Sequence, residues 1–535
     1  MSLLRHTFNF GSMTLISRIL GFARDVVLAR WFGAGLAMDA FVVAFKIPNF
    51  LRRLFAEGSF SLAFVPVLNE YKEKGDHEAL RELIDATTGA LLAVLLIITV
   101  LGIWGAGWVV RLFAPGFMAD PTQLMLATDM LRVTFPYLLL IALTALAGGI
   151  LNTLGRFALP AVTPALLNIS MITAAVAFSQ YFDPPIKALA WGVLVAGVLQ
   201  LAVQLPALVR HRVIPRPWPN FSHPGVRRIL KLMVPTLFGS SVAQINLLLD
   251  TLIASLLLVG SISWLYYADR LMEFPLGLFG VALSTVILPT LSRLHARDNA
   301  RQFRLTLDWA LWMGWAIGLP SAIGLAVLSA PIITTLFNYG EFGTVDVQMA
   351  SWALMAYCLG LPAFIGVKVL SPGFFSRQDA KTPVRVAVVA LLVNMGLNIV
   401  FVLTLVAWWS GFDFSGGLMH ALTNYPGLHI GLALASSVTA WLNAGLLWHH
   451  LKRIELAPTV GPKQFWAVAV AGSVMATGLL WLVPDAHVWV AWTLIERVTQ
   501  LLMFVVLGAG IFAATLWLFG VRTRDFQRPS DEQTR

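Results

Sequence analysis

Charge is scarce in this chain: Asp, Glu, Lys and Arg make up only 12% of its 535 residues, about half the share usual in soluble domains. Cysteine is scarcer still, with Cys358 alone, so neither a disulfide framework nor a thiolate metal cluster can be built, and Cys358 reads as a core residue. Acids are outnumbered, 27 against 37 Lys and Arg. No P-loop, Gly-x-Ser-x-Gly or His-Glu-x-x-His occurs, which disfavours chemistry on a covalent bond. His449 and His450 lack a carboxylate or Cys at ligand spacing, and no metal or other cofactor is expected. The longest polar loops, 70–84 and 210–228, are too short to hold a domain, which excludes an ATP-hydrolysing motor within the chain.

What is abundant is apolar sequence, at 58%. Runs without a single Asp, Glu, Lys or Arg cover 86–110, 133–155, 157–182, 188–209, 309–340, 386–412, 464–484 and 498–521. Each is long enough for a hydrocarbon core that needs roughly 20 helical residues. Closed barrels alternate apolar and polar residues instead, so the fold class is an all-α polytopic membrane protein. Residues 1–31 begin like a signal peptide, but Arg18, Arg24 and Asp25 interrupt the apolar run and the segment is expected to stay. Cutting at polar loops predicts fourteen spans, at 8–30, 37–66, 86–110, 128–152, 158–180, 187–209, 229–257, 264–291, 308–329, 347–370, 384–408, 428–450, 465–483 and 491–519. Lys and Arg then segregate, twenty-five on one side and three (Arg30, Arg111, Lys187) on the other. Basic loops stay cytoplasmic, so both termini are expected in the cytoplasm, and the net charge of +10 needs no nucleic acid to explain it. Trp104, Trp108, Trp408, Trp409, Trp489 and Trp492 near the proposed ends read as interface anchors.

The chain also echoes itself. Asp25 and Asp250, Pro66 and Pro289, Pro136 and Pro362, and Asn168 and Asn394 recur in order at separations of 223 to 226. FVPVL at 64–68 matches ILPTL at 287–291, and ALLNI at 165–169 matches LLVNM at 391–395. This suggests a duplicated six-helix unit, with halves related by an axis along the membrane normal. The expected organisation is an N-terminal lobe at 1–210, a C-terminal lobe at 211–455, two added helices at 456–521 and a cytoplasmic tail at 522–535.

Nine cations fall inside spans: Arg18, Arg24, Lys46, Arg52, Arg53, Arg132, Arg270, Lys368 and Arg497. Burying each costs about 2.5–3.5 kcal/mol even on lenient scales, so they should line a wet cavity or pair with acids. Arg18 and Asp25, seven apart, share a helical face, with Arg24 a third of a turn away. Asp39, Lys46 and Arg53 make a heptad stripe, Glu57 follows Arg53 by four, and Pro48 interrupts the ladder between them. Span eight opens with Asp269, Arg270 and Glu273. Cations outnumber acids in this set and Arg outnumbers Lys, which suits a phosphate or carboxylate bound by two oxygens. The competing reading is salt bridges that fix helix register, or snorkelling at helix ends. Asp250, Asn394 and Asn398 are candidates for an ion or proton site, or equally an interhelical hydrogen-bond set.

The segment SRILGFARDVVLARWFGAGLAMDAFVVAFKIPNFLRRLFAEGSFSLAFVPV resembles the N-terminal signature of the MurJ (MviN) lipid II flippase family, within the multidrug/oligosaccharidyl-lipid/polysaccharide superfamily. The resemblance extends over essentially the whole chain. It implies two lobes, spans 1–6 and 7–12, around a cationic central cavity opening alternately to either side, with spans 13 and 14 forming a groove for a polyprenyl tail. The cargo it implies is lipid II, undecaprenyl diphosphate carrying a disaccharide-pentapeptide. The family's cavity arginines fall on Arg18, Arg24, Arg52 and Arg270, its acidic partner on Asp39, and its motif includes Arg53 and Glu57. Asp25, Asp269 and Glu273 join Asp39 and Glu57 as expected charge-pairing or gating residues. A sodium site proposed for some members has a carboxylate where Asn398 stands here, which counts against Na⁺ coupling. Coupling to Na⁺, H⁺ or the membrane potential stays open. The implied setting is the bacterial inner membrane, with membrane lipids and cell-wall synthesis proteins as candidate partners. The alternatives are a polysaccharide-lipid or multidrug exporter of the same superfamily, or a membrane enzyme acting on polyprenyl phosphates.

Overall fold

The computed structural model describes residues 2–54, 60–410, 417–459 and 461–526, with side chains omitted at 2–16, 61–62, 234–243, 462 and 523–524. Every regular element among the described residues is helical. Two compact units divide the chain, Met1–Ser263 and Trp264–Arg535.

The first unit holds α1 (Ser2–Phe32), α2 (Leu36–Arg52), α3 (Ser61–Glu73), α4 (His77–Trp104), α5 (Ala106–Phe113), α6 (Pro121–Thr134), α7 (Tyr137–Thr153), α8 (Ala158–Thr173), α9 (Lys187–Arg210) and α10 (Pro224–Ser255). Local sequence sets the helix starts. Asp76 accepts the N–H groups of Glu78 and Ala79 to cap α4, and Asp120 caps α6 ahead of Pro121, whose missing N–H is harmless in a first turn. Phe60, Phe64, Leu83, Ile150, Leu151 and Ile229 form the core at one end of this unit. Small residues allow close helix approach: a Cβ on Gly102 would lie 2.1 Å from the Phe135 ring.

The second unit follows α11 (Ser261–Pro275), which begins at the division, with α12 (Val281–Ala296), α13 (Ala300–Val327), α14 (Ser329–Phe337), α15 (Thr344–Cys358), α16 (Leu361–Phe375), α17 (Lys381–Ser410), α18 (Leu418–Asn424), α19 (Ile430–Arg453), α20 (Pro462–Leu482), α21 (Ala486–Ala491) and α22 (Leu494–Leu518). Thr493 and Glu496 close a capping box on α22. Cys358 is buried and free. One core links α12, α13, α16 and α19, and a second joins α13 to α20 and α22.

Among the described residues ten helical segments are long and apolar enough to cross a membrane, or eleven counting α15 and α16 as one span bent by 43°. These correspond to spans three to six and eight to fourteen of the sequence. Spans one, two and seven overlie α1, α2 with α3, and α10, each of which includes residues or side chains outside the description. The echoed prolines occupy like places: Pro66 and Pro289 lie within helices, and Pro136 and Pro362 stand at helix starts. One expectation fails. Trp489 is no interface anchor, being fully buried between Trp492 and Phe504, whereas Trp104, Trp108, Trp408 and Trp409 are exposed.

Candidate functional site

The heptad stripe on α2 becomes a register against α10. Lys46 Nζ donates to Thr251 Oγ1 at 3.0 Å, and one heptad on, Arg53 Nη1 reaches Gln244 Oε1 at 3.5 Å. Seven residues forward on α2 thus correspond to seven backward on α10, as two antiparallel helices require. Both cations are half-buried. Arg52 is turned off this line, as its displacement from the stripe predicts, and donates through Nε to Asn49 Oδ1 at 2.7 Å. Pro48 sits within α2, which carries Lys46 and Arg52 and ends at Arg53 as its C-cap.

Asp39, at the other end of the stripe, is buried at 2% exposure. Its Oδ1 accepts the N–H (2.8 Å) and hydroxyl (2.5 Å) of Ser263, and its Oδ2 accepts the N–H of Gly260 at 2.7 Å. The carboxylate therefore sits on the opening turn of α11, where unpaired N–H groups and the helix dipole both favour an anion. Sequence reading expected acid–base pairing at Asp39 and had no signal for this grip, because Gly260 and Ser263 look like ordinary turn residues.

On α1 the charges separate by environment. Arg18 is exposed. Arg24 is buried at 7% and Asp25 at 2%; Arg24 donates to Asp25 Oδ1 through Nε (3.0 Å) and Nη2 (2.7 Å), and through Nη1 to Asn168 Oδ1 on α8 at 3.1 Å. Asn168 in turn donates to the Ser17 carbonyl at 3.1 Å. In the sequence Asn168 marks the repeat, and its place in the apolar run ALLNI is the clue to a buried polar partner. Glu57 lies outside the described residues.

Asp250 on α10 is half-buried and accepts from Asn246 Nδ2 at 3.2 Å. In the second unit, Asn398 donates to Asn394 Oδ1 at 3.1 Å, with both residues buried. Among the described residues no three of His, Cys, Asp and Glu converge on a metal geometry. Arg270 pairs with Glu273 at 2.8 Å and lies 5.1 Å from the Tyr266 ring centroid. Asp269, its neighbour, is half-buried.

Three span cations take other roles. Arg132 is exposed and pairs with Asp129 at 3.5 Å, and Lys368 is exposed on α16. Arg497 is buried at 6% and donates to three main-chain carbonyls, those of Trp489 (2.8 Å), Val490 (2.6 Å) and Thr334 (3.3 Å), while stacking over Tyr339. It ties α22 to α21 and α14.

Comparison with known proteins places this arrangement. The sequence profile described as "Lipid II flippase MurJ" matches residues 28–509. The probable lipid II flippase MurJ of Vibrio cholerae is 44% identical, covering 99% of this chain and 98% of the relative. The lipid II flippase MurJ of Burkholderia cenocepacia is 41% identical over 99% of each. Among solved structures, a lipid II flippase MurJ in an inward closed conformation superposes with a TM-score of 0.76 at 28% identity, covering 95% of this chain and 99% of that one. An inward-facing MATE-family multidrug transporter of the MOP superfamily superposes with a TM-score of 0.67 at 15% identity, over 84% and 98%, a likeness of fold alone.

Proposed function

The chain belongs to the lipid II flippase MurJ family and is a multi-pass membrane protein, and from that premise we propose that it moves lipid II from the cytoplasmic to the periplasmic leaflet of the bacterial inner membrane. The observation that carries the reading is the set of accessible arginines on membrane helices of the first unit: Arg18 exposed, Arg52 and Arg53 half-buried. Guanidinium forks match the paired oxygens of a diphosphate, and an apolar tail can stay in lipid while the head group crosses. Arg18, Arg52 and Arg53 are assigned to the diphosphate. Arg24 is assigned to hold α1 against α8, and Arg270 of the second unit, with Asp269 and Glu273 beside it, is assigned to the same cargo. Asp39 and Glu57 are the gating acids of this reading, Asp39 through its release of the α11 opening turn as access changes side. Asp250, Asn394 and Asn398 are the proposed points of action for a coupling ion or proton. The basic-loop bias supports a cytoplasmic side for both termini in this reading, and cell-wall synthesis proteins are proposed partners.

The test depletes the protein in cells and asks whether an externally added enzyme that cleaves lipid II reaches its substrate in spheroplasts. Protection of lipid II on depletion, relieved by wild type and not by Arg18→Ala or Arg52→Ala, supports both the cargo and the site. Undiminished cleavage on depletion would set the cargo assignment aside.

A further inference from the structure

The segment after α9 has no regular structure from 213 to 220, yet it is seated. It reads Val213-Ile214-Pro215-Arg216-Pro217-Trp218-Pro219-Asn220-Phe221. Prolines at every second place remove backbone donors and hold the chain extended, so little conformational freedom is left to lose. The Arg216 N–H donates to Asp85 Oδ1 at 2.7 Å. The peptide between Trp218 and Pro219 rests directly on α4 at Gly89, where a Cβ would stand 2.2 Å from the Trp218 carbonyl carbon. At its far end His223, buried, caps α10 by accepting the Gly225 N–H at 3.1 Å.

The outward side of this strap has a definite chemistry. Trp218 is 75% exposed, and Ile214 and Phe221 are exposed with it. Residues 210–231 carry six Lys and Arg and no acid, and Arg210, Arg212, Arg216 and Arg227 are exposed. An indole with an apolar body and a polar N–H favours the head-group layer of a bilayer, and arginines beside it favour phosphate. We propose that the strap at 213–221 is a binding surface for anionic phospholipid head groups, with Trp218 set among them and Arg212 and Arg216 on their phosphates. The loop sidedness stated above makes the cytoplasmic leaflet, which is anionic, the relevant one.

The test uses the full chain in phosphatidylcholine vesicles containing a minor share of phosphatidylglycerol. Cys358 is buried, so Ile214→Cys can carry an environment-sensitive fluorophore beside an intact Trp218, with Glu78→Cys, exposed on the first turn of α4, as the control. Brominated phosphatidylglycerol is expected to quench the label at 214 more than brominated phosphatidylcholine at equal mole fraction. Arg212→Gln and Arg216→Gln should each lower that preference about fivefold, the equivalent of about 1 kcal/mol per basic residue at an anionic surface. Equal quenching by the two lipids overturns the proposal. Quenching by neither, with free access of iodide, also overturns it and directs attention to a protein partner. Transport is not read in this assay, so its failure and a failure of the flippase reading are separate results.

Discussion

Arg497 in the second unit and Arg18 in the first are both arginines in apolar helices, and the structure treats them in opposite ways. Arg497 is enclosed, with three carbonyls and a Tyr ring around its guanidinium. Arg18 is exposed on α1. Arg24 stands between them, buried like Arg497 but held by a carboxylate and an amide side chain. Intramembrane charge is therefore not one signal. A guanidinium enclosed by main-chain oxygens is part of the scaffold, and one left accessible is open to a partner from outside the chain, the role proposed above for Arg18.

The largest effect that would break this distinction is on transport. Arg18→Ala and Arg52→Ala are expected to accumulate in the membrane as wild type does and to lower the exposure of lipid II to the external cleaving enzyme about tenfold or more, since each is assigned a charge-assisted contact to the proposed diphosphate. Arg497→Ala should do the reverse, keeping the rate per folded molecule. Equal loss of transport per folded molecule in both classes would erase the comparison.

Arg24 sharpens it next. Arg24→Ala leaves Asp25 buried without its Arg partner, which costs about 3–5 kcal/mol, so thermal stability in detergent should fall well below wild type. Replacing Asp25 by Asn in the same chain removes the buried charge and should restore a large part of that loss. A double variant no more stable than Arg24→Ala would show that the pair is not coupled. Arg497→Ala follows with about 3 kcal/mol, from carbonyls stripped of a charged donor in an apolar setting. Lys in its place should recover little, because one ammonium cannot reproduce a fork that reaches three oxygens.

How far the sequence reveals this depends on the length of the interaction. Helix positions were legible because apolar runs, caps and prolines act within a turn or two, and the Asp39–Lys46–Arg53 stripe was legible because a helical period links them. The partners of that stripe, Thr251 and Gln244, lie about two hundred residues away and are ordinary polar residues that no local pattern singles out. Gly260 and Ser263 under Asp39 are just as remote, and Asn168, 144 residues from Arg24, is marked only by its place in an apolar run. Trp489 was misread for a related reason. Its place near a span end suggested the interface, but Arg497, one turn into the next helix, bonds the Trp489 and Val490 carbonyls, and the indole packs against Trp492 and Phe504. Charge type was readable, and whether a charge was enclosed was not, because enclosure is made by carbonyls that every residue carries.

The smallest effect lies outside the membrane, where the contrast between enclosed and accessible charge nearly vanishes. Glu70, at the end of α3, accepts from Lys74 at 3.1 Å and from Arg228 at 2.6 Å, and these two bonds hold its carboxyl below the usual Glu range. A carboxyl lowered on folding contributes stability that is present above its unfolded value and is lost as pH falls through the folded one. Solvent screens such pairs strongly, so Glu70→Gln should lower thermal stability slightly at pH 7, less so at 1 M salt, and not at all once pH has dropped below the folded value. Because Arg228 begins α10 while Glu70 ends α3, this exposed pair ties two helices through a contact that water and salt can loosen without touching a membrane-embedded charge. A Glu70→Gln loss at pH 7 that persisted undiminished at low pH and high salt would mean that Glu70 acts through packing, and the distinction between enclosed and accessible charge would then need redrawing at the loops as well.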